Sequence, residues 1–303
     1  MKIITAGANA LVSSTVAASS YADWNSATSY LVGDLVYLPS TFGEYQCLVA
    51  NSNKNPSTHV YNATTNPSGE WLFLGTANRF RMFDQFLNTQ TTDTASIVVE
   101  FSNYGNQAIY LGNLTGDSVT IEVINNATSL VIETYTKSLY SEPTNWLEYF
   151  YGTWLTSDRS TYALYERITL TRDVNIRVTI TGSATVGIGT VLAGPLKTVG
   201  VAQWGVQFDS LDFSTVTTDS SNGITYLSKG NIVKLITADL WCSTMQSEAA
   251  YNTMLLISGT ICVFYDTLAD GSVQTLFGFV KKASQVYKTY DETLIKVDLQ
   301  GLI

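Results

Sequence analysis

Three observations predict that these 303 residues form a mainly β protein. Charged residues make up only 14%, against about 25% in ordinary soluble domains, and 18 residues are Tyr. Tyr, Thr, Val and Ile suit a pleated, half-buried surface, and the helix formers Glu, Lys and Arg are scarce. Short runs that alternate apolar and polar residues recur along the middle of the chain, the signature of strands with one buried face. The length and the 45% hydrophobic content fit two or three domains with real cores and exclude a disordered chain.

The boundaries expected are 1–76, 77–200 and 201–303. The first unit joins an N-terminal arm to a small β domain built on Trp24, Tyr30–Tyr37, Tyr45–Val49 and Trp71, with Gly33-Asp34 as a turn. Residues 51–70 carry Pro56, Pro67 and many Asn and Thr, which reads as a long polar loop. So short a unit has little core, and large aromatics fill it most efficiently.

In the second unit Ile97, Val99 and Phe101 share one face, as do Val119, Ile121 and Val123, and Ile176, Val178 and Ile180. Gly, Asn and Asp punctuate these strands, so an antiparallel sandwich or jelly roll is expected. The third unit reads as α+β. A strand at 232–236 precedes a helix over 243–257 with Met245, Ala249 and Leu256 on one face, and Gly259 stops it. Strands at 261–265 and 275–280 flank an Asp270-Gly271 hairpin turn, and Ile295, Val297 and Leu299 mark the last strand.

Charge and missing motifs bound the chemistry. A net charge of −9 repels phosphate and argues against nucleic acid as a partner. Apolar runs are too short to cross a membrane as a helix, and synthesis without secretion is expected. A single histidine, His59, lies in the polar loop, which leaves little room for a Ser-His-Asp or Cys-His machine. Cys47, Cys242 and Cys262 have no metal or disulfide spacing and read as small buried hydrophobes. No phosphate-binding loop, dinucleotide fingerprint or zinc-protease motif occurs, so neither a cofactor nor a metal is expected.

Trp24, Tyr30, Gly33-Asp34, Val36-Tyr37, Tyr45-Gln46-Cys47 and Trp71 together resemble the small chitin-binding-type carbohydrate modules of bacterial glycoside hydrolases, over about one fifth of the chain. Over nearly the whole length, the chain resembles a family of uncharacterised tailed-bacteriophage virion proteins. Trp71–Gly75, Asn78-Arg79-Phe80-Arg81-Met82-Phe83-Asp84, Asn88–Thr91, Trp146–Tyr151, Gly205 and Gly301-Leu302-Ile303 carry that likeness. The resemblance implies a non-enzymatic structural component of the tail or adsorption apparatus, assembled in the host bacterial cytoplasm. Its partners would be other tail proteins and copies of itself, and it carries over no catalytic residue.

If the front module binds host surface polysaccharide instead, Tyr37, Tyr45, Tyr61, Trp24 and Trp71 are the candidate stacking rings, because a flat ring covers the apolar face of a sugar. The competing reading makes the two tryptophans core residues. In Asn78–Asp84, the expectation is that Phe80, Met82 and Phe83 plug a junction while Arg79 and Asp84 satisfy polar groups. A depolymerase would need paired carboxylates, for which Glu133, Glu148, Glu166 and Asp173 are the candidates. Asp209, Asp212, Asp219 and Asn222 suggest Ca²⁺ or, more simply, a solvated loop. The sandwich and third unit are expected to make the subunit contacts, covering the apolar C-terminal strand end, with the front module at the periphery.

Overall fold

The computed structural model describes residues 1–140, 159–166, 173–203, 205–218, 223–267 and 273–302, together with Trp146, Phe150 and Ile168. It is mainly β, with antiparallel sheets throughout.

The front module is a three-stranded sheet of Leu35–Leu38, Gly43–Cys47 and Trp71–Thr76. Gly33 turns the chain into it at φ +96°, a conformation glycine tolerates without a Cβ penalty, and the Asp34 carboxylate accepts the Leu31 amide at 2.7 Å. The polar loop is tied down by its own asparagines: the Asn62 side chain accepts the amides of Thr64 and Thr65, and Asn66 donates to the Val60 carbonyl.

The central unit is sandwich-like and made from one continuous sheet. Val174–Gly194 is 21 residues long. Its first half pairs with Ser118–Asn125 and its second half with Ala108–Thr115, while Thr91–Asn103 runs beside both. The register slips between Thr181 and Thr185, and such a bulge bends a strand. The two halves thus form opposite layers over one core. Ile97, Val99, Phe101, Val119, Ile121, Val123, Ile176, Val178 and Ile180 lie in it, the faces that period-two alternation marked.

The third unit is an eight-stranded sheet carrying the helix Thr244–Leu256. Strands Cys262–Thr267 and Val273–Tyr287 pair as the hairpin expected, although the Asp270-Gly271 turn lies outside the described residues. The helix lies where expected, but its buried face is Ser247, Ala250 and Met254. Met245 is 97% exposed and Leu256 75%, so the face expected from Met245, Ala249 and Leu256 is corrected. Small Ser247 and Ala250 let the helix approach the sheet closely, which counts for more here than the sizes of the apolar residues.

The first 19 residues connect the units. Lys2–Thr5 is an interior strand of the C-terminal sheet, between Leu196–Thr198 and Cys262–Thr267. Leu11–Ser14 pairs with Thr91–Asn103 in the sandwich, and Val16 enters the sandwich core. The Met1 ammonium donates to the Gly200 carbonyl and lies 3.5 Å from Asp266.

Lys2–Thr5 and Cys262–Thr267 are buried on both faces and have no alternation. Ile3, Cys262 and Phe264 face the helix side of the C-terminal sheet. Ile4, Val263 and Tyr265 face the sandwich, where they meet Ala108, Tyr110 and Leu192. Continuous apolar runs are what double-sided burial requires. At the other end, Gly301 is buried and the Leu302 amide donates to the Phe277 carbonyl at 2.9 Å, so this strand end is covered by its own chain up to Leu302. Ile303 lies outside the described residues.

Candidate functional site

The five candidate sugar-stacking rings have different environments. Trp71 is fully buried, donates its indole N–H to the Lys54 carbonyl at 2.9 Å, and meets Tyr30 edge-on at 5.2 Å. Tyr45 is 4% exposed, with its hydroxyl 3.1 Å from Thr41 Oγ1. Tyr37 is 5% exposed, and burial pushes its phenol pKa up. Trp24 is half-buried against the same core. Stacking on a sugar needs a free ring face, which Tyr45 and Trp71 lack because their rings build the core of a small domain, and which Tyr37 lacks because it is buried too, on the face of its strand opposite Val36 and Leu38. Tyr61 is the one of the five whose ring is well exposed.

Other aromatic rings take the surface. Asn78–Phe83 forms a 3₁₀ helix between module and sandwich. Met82 is fully buried in the sandwich core, and Arg79 Nε donates to the Val16 carbonyl at 2.6 Å. Asn78 exchanges two hydrogen bonds with the Thr92 backbone. Asp84 accepts from the Phe86 amide and the Thr89 hydroxyl. These contacts match the structural role expected of the segment, except that Phe83 remains partly exposed. Phe80 stacks on Phe42 with centroids 4.0 Å apart and planes at 27°. Phe42, which the sequence reading did not single out, closes the turn between Leu35–Leu38 and Gly43–Cys47 at φ +54°. Beside this pair a cavity of about 660 Å³ opens where module, N-terminal arm and sandwich meet.

The catalytic and metal candidates scatter. Glu133 takes a hydrogen bond from the Tyr165 hydroxyl, Glu166 pairs with Lys2, and Asp173 accepts from Asn126. Glu148 lies outside the described residues, as do Asp219 and Asn222. Asp209 and Asp212 sit on a strand, Gln207–Asp212, rather than in the loop expected, and three residues apart they point to opposite faces. Among the described residues no three His, Cys, Asp or Glu side chains gather as a metal site would require. His59 contacts Thr58 and the Asn55 carbonyl. All three cysteines are free, with burial raising each thiol pKa.

A second surface feature is an arm on the C-terminal sheet. Gln207–Asp212 extends that sheet as an outer strand, and Thr215–Thr218 pairs with Thr225–Ser228 as a separate two-stranded ribbon. Every residue of these three strands is exposed, including Phe208, Val216, Tyr226 and Leu227. A two-stranded ribbon is at best marginal alone in water, and an exposed apolar edge invites pairing. At the arm's base an apolar cavity of about 600 Å³ is walled by Val206, Phe208, Ile236 and Phe264. No helix among the described residues is long and apolar enough to cross a membrane.

The chain matches no protein-family model, and no curated protein matches it significantly.

Proposed function

We propose that this chain is a structural component of a tailed-bacteriophage virion, acting in the tail as an adaptor or fibre-attachment protein. The observation that carries the reading is the exposed arm: three strands bearing Phe208, Val216, Tyr226 and Leu227, with no core of their own to bury them. Such strands gain stability by pairing with a neighbour, and aromatic anchors of this type dominate protein–protein contacts. The sequence resemblance to tail proteins supports the same reading. In it, the neighbours are other tail proteins and copies of the chain, and assembly takes place in the host cytoplasm. Mass spectrometry of purified virions tests it directly: the chain should be present in stoichiometric amounts, and absence from the particle would sink the idea.

A second reading, a receptor-binding module recognising host surface polysaccharide, is favoured by one observation. Phe42 and Phe83 are each more than a third exposed and line a cavity that also has polar walls. Glycan-array binding tests it.

A further inference from the structure

We propose that the cavity between the front module and the sandwich is a binding site for a neutral saccharide, with Phe42 as its stacking ring. The proposal rests on the second reading above and moves the site from the module's own rings to the junction.

Phe42 carries the argument. Its φ of +54° is the left-handed region, which a bulky L residue rarely adopts and which glycine or asparagine would enter easily. Burial does not compensate, since Phe42 is 47% exposed. A strained aromatic residue whose ring stays half in solvent points to a role for the ring itself. Phe80 supports it from one side, in the stacked geometry already described.

The cavity's chemistry selects the ligand class. Phe42, Phe80 and Phe83 give it apolar walls, and Asn9, Asp84 and Gln85 give it a polar rim. Asp84 and Asn9 are held in place by their own hydrogen bonds: Asp84 from Thr89, Asn9 to the Ala193 carbonyl and from the Asn106 amide. Gln85 has no hydrogen-bond partner among the described residues, which leaves its amide available. No Lys or Arg lines the cavity among the described residues, and a carboxylate does, so phosphates and acidic sugars are disfavoured. A volume of about 660 Å³ falls within the range of small-molecule sites. Flat rings beside fixed acceptors and a free amide match a pyranose, whose C–H face packs on the ring while its hydroxyls reach the rim.

The experiment is calorimetric titration of the full chain with cellotetraose, maltotetraose and chitotetraose, repeated for Phe42→Gly, Gln85→Ala and Tyr61→Ala. Phe42→Gly removes the ring and relieves the left-handed strain, so the denaturation midpoint should hold or rise while affinity falls at least tenfold. Gln85→Ala should weaken binding, and Tyr61→Ala should leave it unchanged. If all three sugars fail to bind at millimolar concentration, both the site and neutral-glycan recognition are overturned. If wild-type binding survives Phe42→Gly, or is lost only in Tyr61→Ala, glycan recognition stands and this site is rejected. A sharp fall in the Phe42→Gly midpoint would make the ring a structural wedge and likewise reject it.

Discussion

Replacing Ile4 with Ala should destabilise the whole molecule, because this residue sits in the core between the C-terminal sheet and the sandwich. The side chain is fully buried between the C-terminal sheet and the sandwich, with Leu196 and Val263 as its cross-strand neighbours. Ile→Ala deletes three carbon groups, worth roughly 2.4 kcal/mol at ~0.8 kcal/mol each. Sheet backbone on both sides limits collapse, so a cavity contribution brings the expected loss to about 3–4 kcal/mol. Val12, 54% exposed on the next strand, is the control, and its replacement by Ala should stay within about 0.5 kcal/mol. Lys2→Ala, which breaks a partly exposed pair with Glu166, should cost under about 1 kcal/mol. Urea titration followed by tryptophan fluorescence reads all three. Removing residues 1–5 should cost more than Ile4→Ala, since Ile3 is lost as well and Cys262–Thr267 becomes an open edge. An Ile4→Ala loss below about 1 kcal/mol, or an unchanged midpoint after the truncation, would refute the reasoning. The same geometry changes how the front module is removed: a cut through residues 1–75 also destroys strands of both other sheets, whereas excising 20–76 spares them.

Trp71→Ala should cost about 3–5 kcal/mol locally, unfolding the front module while the sandwich stays protected; hydrogen exchange that shows the module still protected would contradict this. Stability should fall between pH 10 and pH 12 through Tyr110, whose pKa burial raises to about 12. Its unfolded phenol ionises first, so the contribution is intact below pH 10, is lost as pH rises to the folded value, and amounts to ~3 kcal/mol. Tyr110→Phe should flatten that slope in alkaline denaturation curves, and an identical slope would contradict the assignment. Replacing residues 214–230 with a short turn should leave the urea midpoint nearly unchanged, because every residue of the ribbon's two strands is exposed. The trimmed chain should fail to enter virions in a complementation assay, and normal incorporation would count against the arm as the assembly contact.

What could be read from sequence follows from one-sided burial. Ile176, Val178 and Ile180 had to face a core because polar neighbours alternate with them, and the same logic located the strands of the sandwich and the last strand of the chain. The helix was legible by its span but not by its face. Apolar size marked Met245 and Leu256, whereas close packing on the sheet chose Ser247, Ala250 and Met254. The stacking candidates failed to separate for a related reason. Tyr37 and Tyr45 have the composition of a binding surface, and only the three-dimensional packing shows that both are buried, Tyr45 within the core of the small domain. Phe42 had a faint signal, an aromatic residue at the end of a hairpin turn where glycine or asparagine is usual.

The sequence by itself determined the β class, the alternating strands, the position of the helix and the net negative charge. Each is a local property, fixed by neighbouring residues and by which side of an element is apolar. The tertiary structure alone decided that Lys2–Thr5 lies inside the C-terminal sheet, that one long strand serves both layers of the sandwich, and that Phe42 borders a cavity between units. Those are pairings between residues as far apart as Lys2 and Tyr265. A strand's backbone donors and acceptors are alike in every strand, so local pattern cannot choose the partners of Lys2–Thr5, and long-range packing of Ile3 and Ile4 does.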